Sequence, residues 1–336
     1  FVKSFPVSVP GYGKAVEQQE FLTLIQELQG KASFHPEQAM SICWGQGSIV
    51  TSPDYAAGLK FSSAQREPMR TEQGLSCIRR SNPEGYHYFV SNLQGKDIDA
   101  FITLGVKAKQ VVLYNPMNGQ IDFAKTDAQG RVRLQLKSGE SIVLRTFTDG
   151  TSAQLKNHKY LMPKNESAMQ LVDWTLSFKE SAPVKITRTY TMKGNPKSWT
   201  ALGDSMLNAT MATGVYKTTF TLPKKQPNTA YLLDLGDVRE TAHVLVNGTD
   251  AGMLFAVPFR LDITDYLVDG KNTLEVAVAN LPANRIAQLD RDGVEWRNFK
   301  EVNVVDLNYK NTLYDKWEPV PSGLNSPVRI IPCKVE

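Results

Sequence analysis

Residues 231–248 read YLLDLGDVRETAHVLVNG and predict two β-strands separated by an acidic turn. In the first strand, period-two alternation places Leu233 and Leu235 on one face and Asp234 on the other. In the second, apolar residues alternate up to the Asn247-Gly248 pair, and both residue types tolerate the positive φ of a tight turn. The stretch therefore predicts strands with one buried face each.

The same alternation recurs along the C-terminal half of the chain and predicts a long β-rich region at 166–336. Turn residues separate the predicted strands at intervals of roughly 10–20 residues. Because parallel strands need intervening helices, this spacing favours an antiparallel β-sandwich. Gly214 is predicted to be a turn residue. The predicted strands span 174–179, 184–191, 214–222, 229–236, 241–248 and 272–280.

Residues 76–150 are also rich in predicted strands and are interpreted as a small antiparallel β domain. A strand, a turn at 82–85 and a second strand open this module. Residues 131–147 predict a hairpin that turns at Ser138-Gly139. The polar, irregular residues 151–165 are interpreted as a linker to the sandwich.

Residues 1–75 are mixed and predict a partial α/β segment. Residues 45–50 predict a glycine turn that leads into a short buried strand. A short helix is predicted after it, with Ser52 as the N-cap and Pro53 at the first helical position. An amphipathic helix that ends at Gly30 is predicted from apolar residues at i, i+3, i+4 and i+7, which are Phe21, Leu24, Ile25 and Leu28.

The composition is that of an ordinary globular protein of 336 residues, with 41% hydrophobic and 21% charged residues. The net charge is +4 and the basic residues form no runs, which argues against nucleic-acid binding and leaves a weak preference for acidic glycans open. No apolar run reaches the roughly 18 residues of a membrane span. Because the chain starts with Phe, we expect a removed leader or a longer parent chain, and a secreted or periplasmic location.

The nucleophilic and metal-binding residue types form no recognisable motif. The four histidines are scattered without an HxH or HxxxH spacing and are interpreted as structural. The three cysteines are far apart and form no CxxC pair. GxSxG, phosphate-binding loop and GxGxxG motifs are absent. The sequence therefore gives no support to nucleophilic or phosphoryl-transfer catalysis and leaves metal binding unknown.

The acidic turn of the opening stretch, with Asp237, Arg239 and Glu240, has three interpretations. The favoured one is a solvated turn with a local Arg–carboxylate pair, which contributes little to stability at a surface. A catalytic role needs a second carboxylate roughly 5–10 Å away across a sugar, and nothing in the sequence places one there. The third interpretation is a rim that contacts carbohydrate, so the three residues are kept as binding candidates.

Residues 280–299 form a second candidate region, interpreted as a long polar loop after a strand. Loops on β scaffolds commonly carry binding sites. Tryptophan can stack on a sugar ring while Asn, Asp and Arg bind its hydroxyl groups. An ordinary ordered surface loop is the equal alternative. The candidate carbohydrate-binding residues here are Asn284, Arg285, Asp290 and Trp296.

Longer motifs in the chain resemble a known family. The segment from YLLDLGDVRE to NLPANRI at 231–286, with GVYKTTFTLP at 214–223 and PSGLNSPVRI at 321–330, resembles the C-terminal domain of family 106 glycoside hydrolases, the α-L-rhamnosidases. The resemblance implies a galactose-binding-like jelly roll. IRRSNPEGYHYFVSN at 78–92 resembles the β module that precedes this jelly roll in the same enzymes.

The resemblance implies that the acid and base carboxylates of an inverting glycosidase, and a calcium ion, belong to a catalytic barrel that this chain lacks. The chain is then expected to supply accessory β domains with no catalytic residue and no cofactor of its own, and its expected partners are carbohydrate and the barrel of the parent polypeptide. The chain departs from the family at Phe255 and near Pro282, where the family has tryptophan, and at 286–288, where it often has IGD. A free-standing carbohydrate-binding module and a purely structural domain are the alternatives.

Overall fold

The fold is described from a computed structural model, in which the chain divides into two units, residues 1–67 and 68–336. The boundary lies eight residues before the predicted end of the α/β segment at 75. The structure describes residues 5–11, 13–36, 38–61, 65–297 and 312–336.

The first unit contains the predicted helix, which ends at Gly30 as expected, but of its predicted apolar face only Leu28 is buried and Leu24 is exposed. The second helix begins later than predicted, because the Asp54 carboxylate, and not Ser52, caps it by accepting a hydrogen bond from the Ala56 N–H at 2.9 Å. Ser52 instead closes a local turn by donating to the Asp54 carbonyl. The elements are α1 (Ala15–Gly30), β1 (Ser33–Phe34), β2 (Met40–Trp44), β3 (Gly47–Thr51) and α2 (Tyr55–Leu59), and the three strands form one antiparallel sheet.

The second unit begins with a β module whose two antiparallel sheets enclose a hydrophobic core. One sheet has the order β4-β5-β10-β7-β8 and the other pairs β6 with β9. Tyr88, Val90 and Leu144 of the first sheet pack with Leu134 of the second. The elements are α3 (Met69–Glu72), β4 (Ser76–Asn82), β5 (Gly85–Ser91), β6 (Ile98–Ile102), β7 (Gln110–Tyr114), β8 (Ile121–Phe123), β9 (Val132–Leu136) and β10 (Ser141–Phe147).

The predicted hairpin at 131–147 is wrong, because β9 pairs with β6 whereas β10 pairs with β5 and β7. Buried Asn92 lies between the two strand ends. Its N–H donates to the Glu140 carbonyl at 2.9 Å, its carbonyl accepts from the Gly139 N–H at 2.8 Å, and its side-chain amide donates to the Leu136 carbonyl at 3.1 Å. These bonds occupy groups that would otherwise close a hairpin, so β9 and β10 belong to opposite sheets.

The rest of the second unit is an antiparallel β-sandwich, which confirms the predicted fold class. One sheet has the order β14-β13-β15-β21-β18-β19, and the other has the order β11-β23-β16-β20, with β12 also paired to β23. Its elements are β11 (Leu161–Pro163), β12 (Met169–Leu171), β13 (Trp174–Ala182), β14 (Tyr190–Met192), β15 (Met211–Leu222), β16 (Thr229–Asp234), β17 (Val238–Arg239), β18 (Thr241–Val246), β19 (Thr249–Leu254), β20 (Arg260–Asp262), β21 (Gly270–Ala279), α4 (Ala283–Arg291), β22 (Gly323–Leu324) and β23 (Val328–Val335).

The two strands of the opening stretch, β16 and β18, lie in opposite sheets and face a shared core. Leu233 and Leu235 are fully buried there together with Val244 and Val246, as the alternation predicts. Asp234 lies on the other face of β16 and pairs with Arg260 at 2.8 Å. The alternation therefore places both strands correctly relative to the core.

Two glycines predicted to lie in turns have different roles. Gly248 follows Asn247 in the two-residue loop between β18 and β19, and both have positive φ, +79° and +52°, as expected. Gly214 lies inside β15, so its prediction as a turn residue is wrong. A Cβ atom at Gly214 would lie 2.6 Å from the Trp199 ring, so the glycine permits a close approach of ring and strand.

The predicted strand at 184–191 is also mostly absent, since only Tyr190–Met192 pairs with β13. The Ser181 hydroxyl donates to the Val184 carbonyl and accepts from the Ile186 N–H, both at 2.8 Å, which closes the chain into a turn.

Residues 151–165, interpreted as a linker, contain a strand and contacts to both parts of the second unit. Strand β11 pairs with the end of β23. The Tyr160 hydroxyl donates to the Arg133 carbonyl at 3.0 Å, and the Arg133 side chain pairs with Glu336 at 3.0 Å. These bonds connect the β module to the last strand of the sandwich.

Candidate functional site

The region interpreted as a long polar loop is a helix over most of its length, which corrects that prediction. Helix α4 begins after Pro282 and ends near Gly293, whose φ is +66°. Its buried residues are Asn284 and Ala287, and Asp290 lies on the same side one turn later. Apolar residues do recur at helical spacing, at Ala283, Ile286 and Ala287, but the many polar residues between them favour the interpretation as a loop. The last two residues of the predicted loop, 298 and 299, lie outside the described residues.

Asn284 uses its side chain to hold the chain segment that leads into β22. Its Oδ1 accepts from the Val320 N–H at 2.7 Å, and its Nδ2 donates to the Val320 carbonyl at 2.9 Å. Only 3% of its surface is exposed. The structure therefore gives Asn284 an internal role and leaves its side chain little access to a ligand.

Asp290 is the centre of a cluster at the C-terminal end of α4. Its side chain is 2% exposed and accepts hydrogen bonds from the Trp296 indole N–H at 2.7 Å and from the Tyr314 backbone N–H at 2.7 Å. The Arg297 guanidinium lies 3.4 Å away. Desolvation alone would raise the pKa of Asp290, but these hydrogen bonds and the Arg297 charge outweigh it and lower the pKa below its ordinary value.

Aromatic and guanidinium groups surround this carboxylate. Arg297 lies over the Trp296 ring, 4.3 Å from its centroid, and 5.9 Å from the centroid of Tyr314. The Tyr314 and Trp317 rings meet edge to face with centroids 4.7 Å apart, and Trp317 is half exposed. We refer to Asp290, Trp296, Arg297, Tyr314 and Trp317 as the aromatic cluster.

Arg291 fixes the outer part of the aromatic cluster to α4. Its Nε donates to the Asp315 carbonyl at 2.8 Å, and its Nη2 donates to the Trp317 carbonyl. Arg285, one of the predicted candidates, is half-buried on the same helix and has no hydrogen-bond partner among the described residues. The cluster is thus held from within, and the half-exposed Trp317 ring is the part of it that a ligand can reach.

The acidic turn forms a separate, partly exposed group. The Arg239 guanidinium binds both carboxylate oxygens of Asp237, at 2.6 and 3.1 Å, so the predicted local pair is present. This pair raises the pKa of Arg239. The Glu240 N–H donates to the Ala279 carbonyl at 2.7 Å. Because Asp237 is satisfied by its own neighbour, the geometry gives no support to a catalytic pair of carboxylates here.

One segment connects the two predicted groups. Val320 exchanges two hydrogen bonds with the Asn284 side chain, and Gly323–Leu324 then pairs with Val238–Arg239. The Asp237 N–H donates to the Ser326 hydroxyl at 2.6 Å. Of the seven predicted residues, Asn284, Asp237 and Arg239 contact residues 320–326, whereas Asp290 and Trp296 bond to each other. Whether they bind carbohydrate stays a prediction.

The sequence reasoning missed Arg297, Tyr314 and Trp317. The sequence does contain a signal for Tyr314 and Trp317, because two aromatic residues three positions apart lie on one surface when they span a β-turn. Such a turn is present, since the Trp317 N–H donates to the Tyr314 carbonyl at 3.0 Å. Within the described residues, no group of three or more His, Cys, Asp or Glu side chains is arranged to hold a metal ion. Over the same residues, no helix is both long and apolar enough to cross a membrane.

The comparisons with known proteins first define the class of domain. Residues 204–316 match the family model described as glycosyl hydrolase 2 galactose-binding domain-like. This range contains strands β15 to β21 and α4. The chain therefore carries a galactose-binding-like domain of the glycoside hydrolase type.

Three similar proteins are each much longer than this chain. A protein of Formosa agariphila named "Putative beta-glucuronidase" is 26% identical over 259 residues, which cover 70% of this chain and 22% of that protein. The structure of a rhamnosidase from Novosphingobium sp. PP1Y superposes with a TM-score of 0.64 at 22% identity, over 98% of this chain and 30% of the other. A Bifidobacterium dentium beta-glucuronidase has a TM-score of 0.34 at 19% identity, over 55% of this chain and 31% of its own. The chain spans less than a third of each of these relatives.

Proposed function

We propose that this chain is an accessory, non-catalytic β region of a glycoside hydrolase of the α-L-rhamnosidase type, secreted or periplasmic, that acts on glycans. The galactose-binding-like match at 204–316 supports the enzyme class. The motifs at 214–223, 231–286 and 321–330 support the rhamnosidase type. In this proposal the parent polypeptide supplies a catalytic barrel with the acid, the base and a calcium ion, and the mechanism is inversion.

The aromatic cluster is the proposed point of contact with carbohydrate. The observation that carries this is Trp317, which is half exposed and fixed edge to face against Tyr314. A fixed aromatic face offers a sugar ring an apolar platform without a large loss of side-chain entropy. Half-buried Arg285, which has no hydrogen-bond partner among the described residues, supplies donors for hydroxyl groups. The residues of this chain thus bind and orient a glycan, and none of them moves a proton.

A mutational binding experiment tests this role. We expect Trp317→Ala to weaken retention of the chain on an immobilised rhamnose-containing glycan by about tenfold, equivalent to about 1.4 kcal/mol. Trp44→Ala is the matched control, because Trp44 is also 50% exposed and lies in the other unit. Equal retention of wild type and Trp317→Ala would contradict a binding role for the cluster.

A purely structural domain is the second candidate, and one observation favours it. Arg291 and Asp290 direct their polar atoms inward, to backbone groups of 314–317. If the chain binds no glycan, this internal network is sufficient to explain the cluster. Release of rhamnose from a nitrophenyl rhamnoside by the chain alone would contradict both candidates, since each assigns catalysis to residues elsewhere.

A further inference from the structure

The five-stranded sheet of the β module carries an ordered pattern on its outer face. Cross-strand register places one apolar residue on every strand in a single row, and about 19 Å separates the first from the last at ordinary strand spacing. Ile78 and Ile121, at the two ends of this row, are 65% and 43% exposed, and Phe89 is 45% exposed. The apolar row is Ile78, Phe89, Val143, Tyr114 and Ile121.

This exposure is unusual because the inner face of the same sheet already supplies the module core. Tyr88, Val90 and Leu144 alternate with the apolar row and are fully buried. A strand with one buried face normally presents polar residues on the other. A continuous apolar row on the solvent side therefore indicates a surface that binds something.

A basic row lies beside the apolar row on three of the five strands, β4, β5 and β10, two residues away on each strand. Arg80 is paired across the strands with His87, and His87 with Arg145. Arg80 is exposed and has no ion-pair or hydrogen-bond partner among the described residues. Arg145 binds Glu84 through Nη2, while its buried Nε lacks a partner in the part of the chain that the structure describes. Arg80 thus retains donors for an acidic ligand, and Arg145, held by Glu84 and Tyr114, adds a second positive charge to the row.

A row of hydroxyl groups lies on the opposite side of the apolar row. Ser76 is paired across the strands with Ser91, and Ser91 with Ser141. All three are partly exposed, and their hydroxyl groups make no hydrogen bond within the described ranges. The face therefore has three parallel rows, with hydroxyl groups, apolar side chains and basic groups in that order.

We propose that this outer face of the five-stranded sheet binds an oligosaccharide that carries carboxylate groups. The C–H faces of the sugar rings lie on the apolar row, the carboxylates pair with Arg80 and Arg145, and the remaining sugar hydroxyls bond to the serine row. The inference rests on the proposed function only in expecting a glycan ligand. The site is separate from the aromatic cluster, which lies in the sandwich.

Chemistry favours a glycan here over a protein partner. Serine is depleted from protein–protein interfaces, where an apolar centre excludes unpaired hydroxyl groups. A sugar needs such hydroxyl groups along its length, next to a narrow apolar row. The basic row should favour an acidic sugar, because its positive charge is only partly neutralised. Among the described contacts, Glu84 is the only carboxylate paired with it.

The test measures binding of tetragalacturonate to the 336-residue chain by calorimetry, with its neutral methyl ester as the matched ligand. We expect the acid to bind at least about tenfold more tightly than the ester at low salt, and the difference to shrink as salt screens the charges. Arg80→Gln and Phe89→Ala should each weaken binding of the acid by about fivefold. Lys193→Gln and Phe255→Ala are controls, because both side chains are exposed and lie in the sandwich.

Three results would overturn the proposal. The first is no binding of tetragalacturonate, or equal binding of acid and ester. The second is binding that Arg80→Gln and Phe89→Ala leave unchanged while Trp317→Ala abolishes it, which would assign the ligand to the aromatic cluster and leave the proposed function intact. The third is self-association of the wild-type chain that Phe89→Ala removes in sedimentation, which would make the face a protein interface.

Discussion

Replacing Asp290 by Asn tests how the aromatic cluster is held together. The side chain is 2% exposed, and its two oxygens accept from Trp296, Tyr314 and Arg297. Asparagine has the same shape but only one acceptor oxygen. In either orientation its NH₂ group therefore faces a donor, which leaves at least one buried N–H without an acceptor.

The expected cost follows from this count. A buried donor without an acceptor costs about 1–3 kcal/mol, and the lost bonds are to a charged group. We expect the free energy of opening the cluster to fall by about 2 kcal/mol, which is about 30-fold in the opening equilibrium. The global fold should survive, because the sandwich core makes no use of this carboxylate.

Amide hydrogen exchange at Tyr314 is the direct assay, since its N–H donates to Asp290 Oδ2. Exchange should become about 30-fold faster in Asp290→Asn. Asp292→Asn is the control, because Asp292 lies exposed at the end of the same helix and, among the described residues, its side chain accepts only from Gln288. Unchanged exchange in Asp290→Asn, or the same acceleration in Asp292→Asn, would refute the role given to this carboxylate.

The effect should also depend on pH in a defined direction. The folded-state pKa of Asp290 is lowered from its ordinary value of 3.8. Its contribution is therefore fully present above about pH 4 and is lost as pH falls through the folded pKa. The difference in Tyr314 protection between wild type and Asp290→Asn should shrink over that acidic range, after correction for intrinsic exchange. A constant difference would contradict the assignment.

Three further outcomes are expected. In urea unfolding, Gly323→Ala should lower the free energy of unfolding by about 3 kcal/mol or more, because φ is +90° and the added Cβ would lie 2.1 Å from the Tyr216 hydroxyl. Gly119→Ala is the control and should cost about 1 kcal/mol, because φ there is +72° but the space around it is open. Arg133→Met should cost about 3 kcal/mol in the same measurement, because two carboxylates lose their buried partner, and a loss below about 0.5 kcal/mol would contradict this. Burial raises the pKa of Cys333 to about 11, so iodoacetamide at pH 8 should modify exposed Cys43 and spare Cys333 until unfolding, as peptide mass spectrometry would show.

Alternation in sequence predicts the sandwich well where one face of a strand is buried by apolar residues. Leu233 and Val244 are examples, since each lies in a period-two pattern that burial in the core requires. The pairing between strands is harder to predict from the sequence, because it depends on residues that are distant along the chain. The two strands around Ser138-Gly139 look like a hairpin until buried Asn92 is found between their ends.

Helix α4 shows the other limit of sequence reasoning. Its buried side carries Asn284, Ala287 and Asp290, so polarity suggests a loop although the backbone is helical. Asn284 and Asp290 are buried because their bonding partners are backbone groups near residues 314–322, up to 36 positions away. A local pattern cannot reveal a partner at that distance, so the polar residues read as surface groups.

The burial of residues predicted to be at the surface changes which side chains are available for a ligand. Three residues predicted from sequence to bind a ligand instead form hydrogen bonds within the protein through their side chains, namely Asn284, Asp290 and Asp237. The groups that stay accessible are of another kind, namely the half-exposed ring of Trp317 and the guanidinium of Arg80, which has no partner among the described residues. Where buried polar side chains hold the loops, ligand contacts therefore fall to an exposed ring in the sandwich and to a sheet face in the β module. The two binding sites proposed for this chain both follow from that division.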